Sequence, residues 1–151
     1  MKRIALLLPI LFLSACLAQP VIVSTPTPDI PHMLKQEDNP YAPLVEDLNK
    51  RRAEVILTSV NLLERTDLTP LRTELNILGS MPSVCNELRI KVNPPDNSYR
   101  VYVEIYSLVD PKSKCDNVFQ QFKTTILLGV YSQGQYSIWT NNTYIGDFTS
   151  Y

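Results

Sequence analysis

The sequence has 151 residues, in which 14 lysines and arginines nearly balance 15 aspartates and glutamates. This balance, without a stripe of basic residues, argues against nucleic-acid binding, which needs a strongly basic surface. Only four glycines occur, which leaves little room for a phosphate-binding glycine loop. The length fits one folded domain with an extension.

The N-terminus has the order of an export signal. Lys2 and Arg3 precede an apolar run over residues 4–13, and small residues then stand before Cys16. The run is interrupted by Pro9 and is shorter than the ~20 residues that a membrane-spanning helix needs. It therefore predicts a cleaved leader rather than a transmembrane segment.

The motif LSAC at residues 13–16 resembles the lipobox of bacterial lipoproteins. The resemblance implies that the signal peptide, residues 1–15, is removed and that Cys16 carries a diacylglyceryl group. More than one acyl chain gives stable anchoring, so the protein is expected on the extracytoplasmic side of a bacterial membrane, in the cell envelope. An ordinary signal peptide cleaved near Ala15 or Ala18 is the alternative.

The lipobox interpretation also accounts for the odd number of cysteines, which is three. If Cys16 carries lipid, Cys85 and Cys115 are left as a pair. A pair of cysteines outside the cytoplasm persists as a disulfide, and the resemblance thus implies a Cys85–Cys115 bond.

A proline-rich segment, residues 16–43, is predicted to be a tether. It contains six prolines, and proline lacks the N–H that helices and sheets need. An extended polyproline stalk and plain disorder both fit. His32, the only histidine, lies here and receives no role; the sequence predicts no metal site and no cofactor.

Residues 44–52 predict a short helix. Pro43 suits its start, Leu44, Val45 and Leu48 share one face, and basic residues end it.

Residues 53–151 alternate apolar and polar residues with a period of two, the pattern of strands with one buried face. Turn residues separate the segments. The sequence predicts an all-β, seven-stranded antiparallel sandwich, with strands at 55–63, 71–77, 88–93, 99–106, 122–128, 136–140 and 144–148.

The last of these segments resemble the end of an immunoglobulin-like domain. Gly134 and Tyr136 begin a strand with alternating residues, and Asn141-Asn142 suits a two-residue hairpin turn that needs positive φ. The resemblance implies an immunoglobulin-like sandwich. Unlike antibody domains, the predicted domain has its two cysteines, Cys85 and Cys115, in loops, where they would join two loops at one end of the sandwich.

Catalytic motifs are missing from the predicted domain. The single histidine lies in the tether and the two domain cysteines are expected to be bonded, which argues against a Ser/His or Cys/His nucleophile. The sequence therefore predicts a non-catalytic binding or structural module. Two alternatives stay open: a protease-inhibitor-like sandwich that acts through its end loops, and a carboxylate-based hydrolase.

Three aromatic residues fall on outward strand positions: Tyr102, Tyr106 and Trp139. Outward aromatic side chains can form a platform for a protein or carbohydrate partner, or they can simply pack across strands. In the immunoglobulin strand order, the strands that carry Tyr102 and Trp139 lie in opposite sheets. That order predicts two separate surfaces rather than one site.

Overall fold

The computed structural model describes residues 38–151. The predicted signal peptide, Cys16 and the tether as far as residue 37 lie outside the described residues. Within residues 38–151, one five-residue 3-10 helix, Val45–Asn49, precedes eight strands: β1 Arg51–Ala53, β2 Ile56–Arg65, β3 Arg72–Met81, β4 Glu87–Val92, β5 Arg100–Val109, β6 Gln120–Leu127, β7 Gly134–Thr140 and β8 Thr143–Ser150.

The strands form two sheets of a β-sandwich, which confirms the predicted fold class. Sheet A has the order β4-β5-β7-β8, and the short strand β1 pairs with β5 along the same edge that β7 uses. Sheet B has the order β2-β3-β6. All seven predicted strands are present as β2 to β8, each within a few residues of its predicted bounds.

Two details of the prediction are wrong. β1 makes an eighth strand that the sequence did not indicate, because three residues are too few to show alternation. The pairing of β5 with β7 is parallel, whereas all other pairs are antiparallel. Parallel neighbours need a crossover connection, and here the chain between β5 and β7 passes through β6 in the other sheet.

The core lies between the inward faces of the two sheets. Alternate residues of β3, β5 and β7 supply most of it, as their period of two predicts. The apolar side chains with no more than 1% of their surface exposed are Leu75, Ile77, Ile90, Val101, Val103, Ile105, Ile126, Leu128 and Ile138.

The prediction of a helix over residues 44–52 is wrong in both the type of helix and its length. Only Val45–Asn49 is helical, and it is a 3-10 helix; residues 51–53 form β1. Val45 and Leu48 are 81% and 85% exposed and Leu44 is 44% exposed, so most of the expected apolar face is accessible to solvent. The turn docks instead through Asp47, whose carboxylate accepts two hydrogen bonds from Arg89 of β4, at 2.7 and 2.8 Å.

The last residues of the predicted tether belong to the folded domain. The backbone oxygen of Asp38 accepts a hydrogen bond from Leu127 of β6, and the buried side chain of Asn39 donates to the carbonyl of Ile90 in β4 at 2.7 Å. Tyr41 adds a backbone bond to Ile90. These residues thus connect the edge of sheet B to the edge of sheet A, which proline content alone could not reveal.

The disulfide joins Cys85 to Cys115, as predicted. Cys85 lies in the loop between β3 and β4, and Cys115 lies in the loop that leads from β5 in sheet A to β6 in sheet B. The bond therefore ties two loops together, as the sequence indicated, and does not cross the core between the sheets.

Candidate functional site

Tyr102 and Trp139 lie side by side on the outer face of sheet A. They are register partners in the parallel pair of β5 and β7, and their ring centroids are 6.4 Å apart. Tyr144 of β8 extends the row, in an edge-to-face arrangement with Trp139 in which the ring centroids are 5.5 Å apart. The prediction that Tyr102 and Trp139 lie in opposite sheets is wrong, because β7 returns beside β5.

An open groove of about 530 Å³ runs along this face. It lies where β5 changes neighbours: β7 pairs with residues 100–103 and β1 pairs with residues 107–109, which leaves residues 104–106 between them. All three predicted aromatic residues line the groove, together with Arg52, Glu54, Val55, Val103, Glu104, Ile105, Asn141 and Asn142.

Asn141 occupies the gap in the strand pairing. Its side-chain oxygen accepts a hydrogen bond from the Ile105 N–H, and its side-chain nitrogen donates to the Ile105 carbonyl, both at 2.8 Å. This geometry follows from the hairpin turn between β7 and β8, where Asn141 and Asn142 have φ of 45° and 69°. The predicted Asn-Asn turn therefore also shapes the groove.

Tyr106 faces outward as predicted, but it is covered. Only 9% of its surface is exposed, and the guanidinium carbon of Arg52 lies 3.9 Å from its ring centroid. This contact has the geometry of a cation–π interaction. Tyr106 therefore forms part of the floor of the groove, whereas Tyr102 and Trp139 are half-buried and present accessible ring surface.

The orientation of Trp139 is fixed by a hydrogen bond. Its indole nitrogen donates to the hydroxyl of Ser137 on the same strand at 3.2 Å. With the N–H engaged in this way, the indole offers a molecule in the groove mainly its apolar ring surface.

Glu104 carries the negative charge at the middle of the groove. Its carboxylate accepts hydrogen bonds from Asn93 at 3.2 Å, Arg52 at 3.1 Å and Lys91 at 3.3 Å. The Asn93 hydrogen bond, with those from Arg52 and Lys91, holds the pKa of Glu104 below its ordinary value despite partial burial. Glu104 is therefore ionised at neutral pH, the opposite of what a general acid requires.

A second exposed apolar feature lies near the disulfide. Val84 precedes Cys85, and Val118 and Phe119 end the loop that contains Cys115. These three side chains are 59–62% exposed. Alternation could not indicate them, because they lie in loops outside the period-two segments.

Arg52 and Asn141 are the groove residues whose roles the sequence did not indicate. Arg52 belongs to a basic run that suggested a helix end, and Asn141 suggested only a turn. No local signal marks either contact, since each joins residues more than 30 positions apart along the chain.

Over residues 38–151, no group of three or more histidine, cysteine or acidic side chains is arranged to hold a metal ion. Within the same range, no helix is long and apolar enough to cross a membrane.

A protein-family model, the ORF11 beta-sandwich domain, matches residues 75–150. The chain belongs to this family. The ORF11 beta-sandwich match begins within β3 and ends at the last residue of β8, so it includes Tyr102, Tyr106, Trp139 and Asn141 but not Arg52 or Glu54. No curated protein and no solved structure matches the chain.

Proposed function

We propose that this protein is a lipid-anchored, non-catalytic binding module of the bacterial cell envelope, and that the groove on sheet A is its binding site. The observation that carries the proposal is the adjacency of Tyr102 and Trp139 on one outer face, above a groove bordered by paired charges. Partly exposed aromatic rings supply large contact area together with a defined orientation.

The anchor rests on the LSAC motif at residues 13–16. The Cys85–Cys115 disulfide supports the extracytoplasmic part of the proposal, because such bonds persist in oxidising compartments. We expect Cys16→Ser to abolish both metabolic labelling with an alkyne fatty acid and cleavage of the leader in bacteria.

The matched control replaces the other two cysteines. Cys85→Ser with Cys115→Ser removes two thiols but leaves the motif intact, so this variant should still be labelled. If Cys16→Ser is still cleaved and labelled like the wild type, Cys16 is not the acyl acceptor.

Site-specific crosslinking at the cell surface tests the groove. A photoreactive amino acid in place of Glu54, an exposed residue that lines the groove, should capture a partner, and Trp139→Ala should remove most of that product. The same amino acid in place of Phe119, outside the groove, serves as the control. Crosslinks from position 54 that persist unchanged in Trp139→Ala would place binding elsewhere.

The exposed residues on the disulfide-linked loops favour a second candidate, protease inhibition. Val84, Val118 and Phe119 offer apolar contacts on loops that a disulfide constrains, and preorganised loops lose little entropy on binding. This candidate predicts inhibition of a secreted protease that Phe119→Ala weakens and Trp139→Ala does not.

We also infer that the sandwich is a variant of the immunoglobulin-like fold. In support, the order β2-β3-β6 and the β7-β8 hairpin follow the A-B-E and F-G arrangement of that fold. Tyr136, near the start of β7, donates its hydroxyl hydrogen to the Ser132 carbonyl at 2.9 Å, as in a tyrosine corner. The parallel pairing of β5 with β7 is a departure from the immunoglobulin-like arrangement.

A further inference from the structure

We propose that the groove on sheet A binds a neutral oligosaccharide. This inference rests on the proposed function and names the class of its ligand. The groove, at about 530 Å³, is within the range of roughly 300–1,000 Å³ that is usual for small-ligand sites. Three properties of the groove, taken in turn, select this class of ligand.

The first property is that the gap in the strand pairing is closed to an added strand. A peptide that extends a sheet must pair with free backbone groups at a strand edge. In the gap between β1 and β7, the side chain of Asn141 already pairs with both backbone groups of Ile105. A ligand here must therefore be held by side chains rather than by backbone pairing.

The second property is that the charges of the groove are mutually compensated. Arg52 is paired with Glu104, which also binds Lys91, and Glu54 adds a further carboxylate at the rim. An anionic ligand would meet Glu104 and Glu54, and a cationic ligand would meet Arg52. A neutral ligand is repelled neither by the two carboxylates nor by Arg52, and it leaves the Arg52–Glu104 pair intact.

The third property is the combination of aromatic surface with both donors and acceptors. Tyr102 and Trp139 present ring surface, while Arg52 can only donate hydrogen bonds and Glu104 can only accept them. Hydroxyl groups do both, and a pyranose ring carries hydroxyls around a face of C–H groups. A neutral sugar therefore matches the apolar and the polar parts of the groove at once.

The experiment uses the purified full chain. It is applied to an array of neutral oligosaccharides, comprising β-glucans, chitin oligomers, mannans and galactans, with oligogalacturonate and hyaluronate as acidic members. Bound sugars are then titrated in solution. Trp139 is the only tryptophan of the sequence, so its fluorescence reports occupancy of the groove directly.

We expect saturable binding of at least one neutral member, a change in Trp139 fluorescence, and little dependence on salt because no net charge is involved. Trp139→Ala should weaken binding about tenfold or more, as expected for an aromatic residue that carries much of the contact. Trp139→Phe, whose binding is measured by calorimetry, should retain most of the wild-type affinity. Phe119→Ala, an exposed aromatic residue outside the groove, should bind like the wild type.

Two results would overturn the proposal. Binding confined to acidic members, or no Trp139-dependent binding to any neutral member, excludes a neutral oligosaccharide. If a protein is nevertheless crosslinked from position 54 in a Trp139-dependent way, the groove is a binding site and only its ligand class is wrong. If that crosslink is also missing, the proposed function fails as well.

Discussion

The outer faces of the two sheets follow the same alternation but carry different chemistry. On sheet B, a row across β2, β3 and β6 consists of Asn61, Asn76 and Thr125, with a hydrogen bond of 2.8 Å from the Thr125 hydroxyl to Asn76. On sheet A, the row across β5, β7 and β8 consists of Tyr102, Trp139 and Tyr144.

This difference shows that an outward-facing position on a strand is not by itself enough to form a binding site. The polar row of sheet B lies where β2, β3 and β6 pair continuously, whereas sheet A places aromatic rings beside a break in the pairing along β5. Only sheet A thus combines accessible ring surface with a concave floor. If the outer face of sheet A is a binding site, truncating its aromatic residues should reduce binding more than stability, whereas truncating core residues should reduce stability.

The largest expected effect distinguishes the two faces of β7 itself. Tyr136 is 3% exposed and its ring lies 5.1 and 5.3 Å from those of Tyr131 and Phe148. We expect Tyr136→Ala to lower the free energy of unfolding by about 3–5 kcal/mol. Trp139→Ala, on the outward face, should cost only about 1 kcal/mol while it weakens binding.

Urea denaturation of both variants measures this difference. Equal losses of stability would mean that Trp139 is a packing residue, and the contrast between the outer faces of the two sheets would then lose its functional meaning.

The next effect concerns the disulfide, which lies away from both outer rows. Its cysteines are 30 residues apart, and closing a loop of this length stabilises a protein by about 3–4 kcal/mol in the chain-entropy model. Cys85→Ala with Cys115→Ala should therefore lower the melting temperature by about 10 °C or more, and the folded variant should keep its affinity for the groove ligand.

Thiol labelling of the native wild type provides the control, since neither cysteine should react. Loss of groove binding at a temperature where the double variant is folded would show that the loops and the outer face of sheet A are not independent.

The smallest effect concerns the ion pair that holds the 3-10 helix on sheet A. Arg89 is 7% exposed, and its hydrogen bonds lower the pKa of Asp47 below its ordinary value of 3.8. The folded state therefore gains stability from the ionised carboxylate above that value and loses it as the pH falls through the lowered pKa. We expect Asp47→Asn to cost about 2 kcal/mol at pH 7.

The cost of Asp47→Asn should shrink as the pH falls below about 3.8, which denaturant unfolding at a series of pH values measures. Glu46→Gln, which removes an exposed carboxylate from the same turn, is the matched control for the loss of one negative charge. A cost that stays constant down to acidic pH would assign the role of Asp47 to packing rather than charge.

The sequence by itself determined the strands β2 to β8, the face on which their residues lie, and the loops that the disulfide joins. Ile138 faces the core and Trp139 faces outward because successive side chains of a strand alternate, and that rule is local. The Asn141-Asn142 turn was predictable for the same kind of reason, since both residues tolerate positive φ.

Only the tertiary structure decided which outward residues meet. Tyr102 and Trp139 are neighbours because β6 lies in the other sheet and lets β7 return parallel to β5. Arg52 reaches Tyr106, and Asn141 bridges the strand gap, through contacts between distant parts of the chain. Alternation has a period of two residues and carries no information about strand order, which depends on how the whole chain closes its core.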